Sequence, residues 1–167
     1  MYNDKRKEYS HQVHINTLMH ELIHLLYFNS YNTHNLKKKI IATPEVLKVG
    51  KEHFGCDSFR GIELERTRQG VFQSNHEETI HYGNDIMVPI IVEKNAVISR
   101  LILAALKDTK EYRVDYSKAG MLKFGYKQGC NFLEKTECDS EKYPQYFCEE
   151  NQSFLCSPNF RNFNQCQ

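Results

Sequence analysis

The sequence has no excess of charge, no long apolar run and little proline or glycine, and each shortage removes a class of protein. Its 22 Lys+Arg stand against 21 Asp+Glu, a net charge of +1, so no broad electrostatic pull toward nucleic acid or an anionic membrane is expected. No apolar stretch reaches the ~18–20 residues of a membrane span. With only 8 Gly and 4 Pro the chain does not read as a disordered linker, and its 40% hydrophobic share is that of a globular protein. A length of 167 residues allows one domain, or one domain with a small appendage. Neither an internal repeat nor a low-complexity tract is present.

Six cysteines occur at 56, 130, 138, 148, 156 and 166, and none forms a CxxC pair. Thiolate zinc sites use tighter spacing than the intervals of 8, 10, 8 and 10 residues between the last five, so a disulfide framework is the better reading than six reduced thiols. Disulfides require an oxidising compartment. The opening MYNDKRKEYSHQ carries charges with no apolar stretch behind them, so no secretory leader is read there. The two readings are reconciled if the chain is part of a longer secreted precursor.

Residues 10–28, SHQVHINTLMHELIHLLYF, repeat apolar residues at helical spacing and predict a largely buried helix with Ser10 as N-cap. Residues 29–42 predict a loop, and Lys37, Lys38 and Lys39 within it a solvated basic stretch. A second helix is expected from Thr43 (N-cap) and Pro44 to a stop at Gly55. Residues 57–86 predict irregular structure with short extended pieces. A third helix is expected over Asn95–Asp108, with Val97, Ile98, Leu101, Ile102, Ala105 and Leu106 facing a core. From Tyr112 onward the pattern is loop-rich, with Tyr116 and Phe124 as aromatic core.

His20-Glu21-Leu22-Ile23-His24 is an HExxH on the first helix. Its i, i+4 spacing puts two imidazoles on one helical face, where they can share one Zn²⁺ that then needs a third protein ligand. Glu21, beside the first histidine, is placed to take a proton from a water at the metal. His11 and His14 read as surface histidines. A ligand six residues after His24, as in the compact metzincin pattern, would be Ser30, which is unsuitable. His34, Glu45, His53, His76 and His81 remain as third-ligand candidates. A zincin with a glutamate ligand favours Glu45. A metzincin-like chain with an insertion favours a distant histidine before a Met-containing turn, such as His76 before Asp85-Ile86-Met87-Val88-Pro89. His81, six residues from Met87, leaves less room for a loop to return under the metal.

The segments HELIHLLYF, FGCDSFRGIELE, NHEETIHYGNDIMVP and YRVDYSKAGMLKFGYKQGCNFL together resemble leishmanolysin-type surface metallopeptidases, from about residue 15 to the C-terminus. That family pattern has HExxHxxGF, a GCD segment, and a histidine eleven residues before a Met-turn methionine, the separation of His76 from Met87. The resemblance implies His20, His24 and His76 as zinc ligands, Glu21 as general base and Met87 as the methionine beneath the metal. It also implies disulfides Cys56–Cys130 and Cys148–Cys166, with Cys138 and Cys156 paired together or free. Two positions depart from the pattern. Tyr27 stands where the family has glycine, which implies a longer helix or a strained turn. Only 19 residues precede His20, where relatives carry a large domain, so the chain reads as a carboxyl-side portion.

The resulting expectation is an α+β, mostly helical, metzincin-like zincin fold. Residues 1–110 would form the zinc-binding catalytic portion and residues 111–167 a cysteine-rich C-terminal region. The resemblance implies a zinc metalloendopeptidase with one Zn²⁺, a protein or peptide substrate, no nucleic acid, and an extracellular or cell-surface location. Its rival is a catalytically degenerate homologue acting in surface adhesion or binding.

Overall fold

The computed structural model describes residues 11–28, 40–66, 72–77, 79–89, 96–134, 139–147, 154–156 and 163–165. In chain order these form α1 (His11–Leu26), β1 (Ile40–Ile41), α2 (Pro44–Phe54), β2 (Ile62–Arg66), β3 (Phe72–Glu77), α3 (Thr79–Tyr82), α4 (Arg100–Asp108), a 3₁₀ turn (Tyr116–Lys118), α5 (Cys130–Leu133), β4 (Phe154–Cys156) and β5 (Phe163–Gln165). Helix and sheet are mixed. β1, β2 and β3 make one antiparallel sheet in sequence order, and β4 pairs with β5. The expected irregular stretch 57–86 therefore contains a two-stranded ribbon. Its alternation is visible in β2, where Ile62 and Leu64 are buried and Glu63 and Glu65 face the other way.

α2 keeps the predicted bounds, with Pro44 in the first turn and Gly55 in the left-handed region at φ 66. The cap is not the predicted one. Thr43 makes no side-chain cap hydrogen bond. Asp108, at the end of α4, instead accepts the Glu45 and Val46 amides through Oδ2 at 2.8 and 3.3 Å. Lys107 adds an ion pair to Glu45 at 2.9 Å, so α4 and α2 are joined through charge as well as packing.

α4 begins later than expected. Ser99 is its N-cap, accepting the Leu101 and Ile102 amides at 3.0 and 3.4 Å. Asn95 lies outside the described residues. The preceding residues are extended because Val97 bridges to Asp85, donating its amide to Asn84 and accepting from Ile86. Leu101, Ile102, Ala105 and Leu106 are buried in the core as the stripe predicted.

α1 departs from the expectation of a largely buried helix. Val13, Asn16, His20 and Ile23 are buried, but Leu18 is 70% and Leu25 77% exposed, with Ile15 and Leu22 also outward. A turn of about 100° per residue places those four opposite His20, on a face that no described residue covers. Ser10, Lys37, Lys38 and Lys39 lie outside the described residues.

The core is one cluster running from Phe28, Ile41 and Val46 through Tyr82, Met87 and Leu101 to Phe124, Phe132, Tyr143 and Phe147. Tyr116 packs partly buried against it. Gly50 lets α2 approach it closely, since a Cβ there would lie 2.0 Å from the Phe59 ring. A disulfide joins Cys56 to Cys130 across 74 residues of sequence. Cys138, Cys148 and Cys166, and the Cys156 side chain, lie outside what is described.

The inter-helix cap yields a measurable expectation. Asp108→Ala removes the acceptor for two amides of α2 and should lower stability by about 1–2 kcal/mol in urea unfolding. Thr43→Ala, which deletes a hydroxyl that caps nothing, should cost much less. Equal losses in the two variants would contradict this account of the helix start.

Candidate metal centre

Two elements and one turn build the site. α1 presents His20 and His24 on one face, and the end of β3 brings His76 toward them. Their Nε2 atoms lie 2.9 Å (His20–His24), 3.2 Å (His20–His76) and 3.1 Å (His24–His76) apart. Among the described residues this is the one group of three metal-competent side chains whose ligand atoms gather within 4.8 Å.

The opposite ring nitrogens decide what those Nε2 atoms are. The His20 Nδ1–H donates to the Ile86 carbonyl at 2.6 Å and the His24 Nδ1–H to the Phe28 carbonyl at 2.7 Å. A carbonyl only accepts, so each Nδ1 carries the proton and each Nε2 turns a lone pair inward. Lone pairs set this close repel one another unless a cation lies between them. Tetrahedral Zn²⁺ with ligands at ~2.0–2.1 Å needs nitrogen separations of about 3.3 Å, so the triangle is close to the size required. Imidazole is also a donor that zinc prefers. These residues fit the metal.

Burial favours the neutral ring at His20 and His76. Burial is the largest influence lowering the His20 pKa, partly offset by the hydrogen bond to Ile86. Burial and then the neighbouring His20 and His24 bring His76 down to about 4. Imidazoles unprotonated at neutral pH are ready to ligate.

The turn at residues 85–88 ties the two elements together. Its Ile86 carbonyl holds the His20 ring, and its Met87 carbonyl accepts the Glu77 amide at 2.9 Å, next to His76. Met87 itself is fully buried. The turn also buries Asp85 beside Glu77. Burial raises the Asp85 pKa to about 7, against the opposing effect of its Ser99 hydrogen bond. Glu77 is raised too, by burial and then by Asp85.

The other candidates lie elsewhere. Glu45 is engaged by Lys107 and by the Tyr116 hydroxyl at 3.2 Å. His53 pairs with the Phe124 carbonyl at 3.0 Å. His81 is buried against Glu63, with His81 Nδ1 3.9 Å from the carboxylate. His11 and His14 are exposed on α1, and His34 lies outside the described residues. Glu21 is exposed on α1 beside His20 and acts on its charge.

Neither alternative for Tyr27 holds. The helix ends at Leu26, and Tyr27 is not among the described residues with positive φ. Instead the Tyr27 and Phe28 amides both donate to the Ile23 carbonyl, at 2.9 and 3.2 Å. This closing turn needs no glycine, and it aims the Phe28 carbonyl at His24. Sequence reasoning missed the Ile86 and Phe28 carbonyls because any residue type supplies a carbonyl.

Asp85 gives a pH-dependent expectation. Its folded pKa lies above the unfolded carboxyl value, so the stabilisation it confers is full at acid pH and is lost as pH rises from about 4 to about 7. In the zinc-free protein, Asp85→Asn should therefore gain stability relative to wild type when urea unfolding at pH 7.5 is compared with pH 4.5. An unchanged difference would contradict the burial of this acid.

A family model described as leishmanolysin, of the M8 peptidases, matches residues 3–167. A leishmanolysin-like peptidase of Caenorhabditis elegans is 37% identical over 97 residues, covering 58% of this chain and 14% of its own length. A leishmanolysin homolog of Crithidia fasciculata is 28% identical over 131 residues, covering 77% of this chain and 20% of its own. The leishmanolysin of Leishmania major is 24% identical over 158 residues, covering 85% of this chain and 26% of its own. The chain thus spans about a quarter or less of the length of these relatives. With the model matched along almost the entire chain, this protein belongs to the leishmanolysin family of zinc metallopeptidases.

Proposed function

We propose that this chain carries the zinc centre of a metalloendopeptidase, with His20, His24 and His76 as ligands, Glu21 as general base and Met87 as the Met-turn methionine. The observation that carries the reading is the convergence of three Nε2 atoms within 3.2 Å, two of them fixed as lone-pair donors by buried carbonyls. Bound zinc supplies Lewis acidity, lowering the pKa of a water toward ~7 and polarising the scissile carbonyl. Glu21 sits one residue from His20 on the exposed side of α1, where a peptide can reach it. Its carboxylate accepts a proton as the water oxygen bonds to the carbonyl carbon. The same proton passes to the amide nitrogen as the C–N bond breaks, leaving a carboxylic acid and an amine, between which the second proton of the water then redistributes. Ile86 and Phe28 act indirectly, holding the two helix imidazoles in the ligating tautomer. The substrate class is protein or peptide, and the location extracellular or at a cell surface. Among the described residues no helix is long and apolar enough to cross a membrane.

Substitutions separate metal binding from catalysis. Purified chain should contain about one zinc, lost in His20→Ala, His24→Ala or His76→Ala and kept in Glu45→Ala or His81→Ala. Glu21→Gln should keep the zinc and lower peptide cleavage by roughly 10²–10⁴-fold. An unchanged cleavage rate would remove Glu21 from the mechanism. No cleavage by zinc-loaded wild type, even when fused to the preceding region of a full-length relative, would favour the degenerate adhesion homologue.

A second expectation concerns the chain by itself. A zincin holds its peptide as an added strand along a sheet edge, and such positioning contributes several kcal/mol to catalysis. The zinc-loaded 167-residue chain should bind metal yet cleave a quenched peptide more slowly than a version fused to the preceding region of a full-length relative. Equal rates would show that residues within this chain already grip the substrate.

A further inference from the structure

We infer that Glu65 is the positioning residue for His76, selecting the tautomer that keeps the metal triangle open. This rests on the assignment of His76 as the third ligand. The His20 and His24 rings are each fixed by a backbone carbonyl. His76 is held differently, its Nδ1 lying 4.0 Å from Glu65 Oε2 with both side chains about four-fifths buried. That separation is within ion-pair range and longer than a direct hydrogen bond, so the contact is electrostatic or bridged by water.

The strand geometry explains the pairing. Leu64 pairs with Glu77, and their chain neighbours Glu65 and His76 come together across the two strands. The register then shifts before Arg66 meets Phe72. Such irregularities re-aim side chains near functional sites. Alternation along β2 does the rest, since Leu64 points into the core and Glu63 and Glu65 point together to the other face. Each of these two carboxylates faces a histidine: Glu63 lies by His81 and Glu65 by His76.

The tautomer matters because the other two rings leave His76 as the only possible donor in the triangle. With its proton on Nε2, His76 would hydrogen-bond to the His20 or His24 lone pair and close the site. A carboxylate on the Nδ1 side draws the proton there, turns the third lone pair inward and raises the basicity of the ring. Glu65 therefore prepares the site before the metal arrives and strengthens the ligand afterward.

The test is zinc affinity of the full chain by chelator competition, together with the His76 tautomer read from imidazole nitrogen chemical shifts in the zinc-free protein. Glu65→Ala should weaken zinc binding by about 10–100-fold and move His76 toward the Nε2–H form. Glu65→Gln removes the charge at nearly the same size, so it should weaken zinc binding and shift the tautomer as Glu65→Ala does, whereas Glu65→Asp keeps the charge and should recover part of both. Glu63→Ala, on the same face of the same strand, should bind zinc as wild type does. Wild-type affinity and tautomer in Glu65→Ala would overturn the inference, as would an equal loss of affinity in Glu63→Ala. Unchanged zinc affinity in His76→Ala would instead overturn the ligand assignment, and this inference with it.

Discussion

Two consecutive carbonyls in one turn organise the centre. Ile86 fixes the His20 ring through Nδ1, and Met87 fixes the end of β3 through the Glu77 amide. A helix from the start of the chain and a strand from its middle are thereby indexed to the same few atoms. The turn is in turn pinned by Val97, which exchanges backbone hydrogen bonds with Asn84 and Ile86, and by Asp85, which accepts the Ile86 amide at 2.7 Å. A small shift there would move two imidazoles relative to each other, and Nε2 atoms near 3 Å apart tolerate little of that.

The sequence disclosed the parts of this arrangement that depend on residue type. HExxH spacing put His20 and His24 on one face of α1, where their Nε2 atoms lie 2.9 Å apart. The interval from His76 to Met87 separated His76 from Glu45 and His81 once the family pattern was recognised. Proline and glycine marked α2, because fixed φ at one end and positive φ at the other are properties of single residues.

What stayed hidden depends on partners distant in sequence. Thr43 is a plausible cap by type, yet Asp108 reaches the same amides from another helix. The apolar stripe of α4 looked continuous from residue 95 on, but Val97 is drawn into a bridge with Asp85 and the helix waits for Ser99. Tyr27 looked costly when judged by φ alone, and the doubled hydrogen bond to Ile23 supplied a turn that avoids the left-handed region. The exposed leucines of α1 show the same limit, since periodicity reports that a face is apolar and not whether anything described here covers it.

The Cys56–Cys130 bridge divides the metal centre topologically. His76 and the turn at 85–88 lie inside a covalently closed ring, whereas His20 and His24 lie on an arm outside it. In the chain-entropy model a ring of 74 residues limits the unfolded chain by about 4–5 kcal/mol, and that limit acts on only one side of the site. A metal held by all three histidines, as proposed, would be a second cross-link, fastening the arm to the ring. Without that metal the ring would keep its closure, and α1 would stay attached through its core-facing side and the His20 hydrogen bond to the Ile86 carbonyl. Chelation would then act unevenly, removing the link between arm and ring while leaving the ring closed.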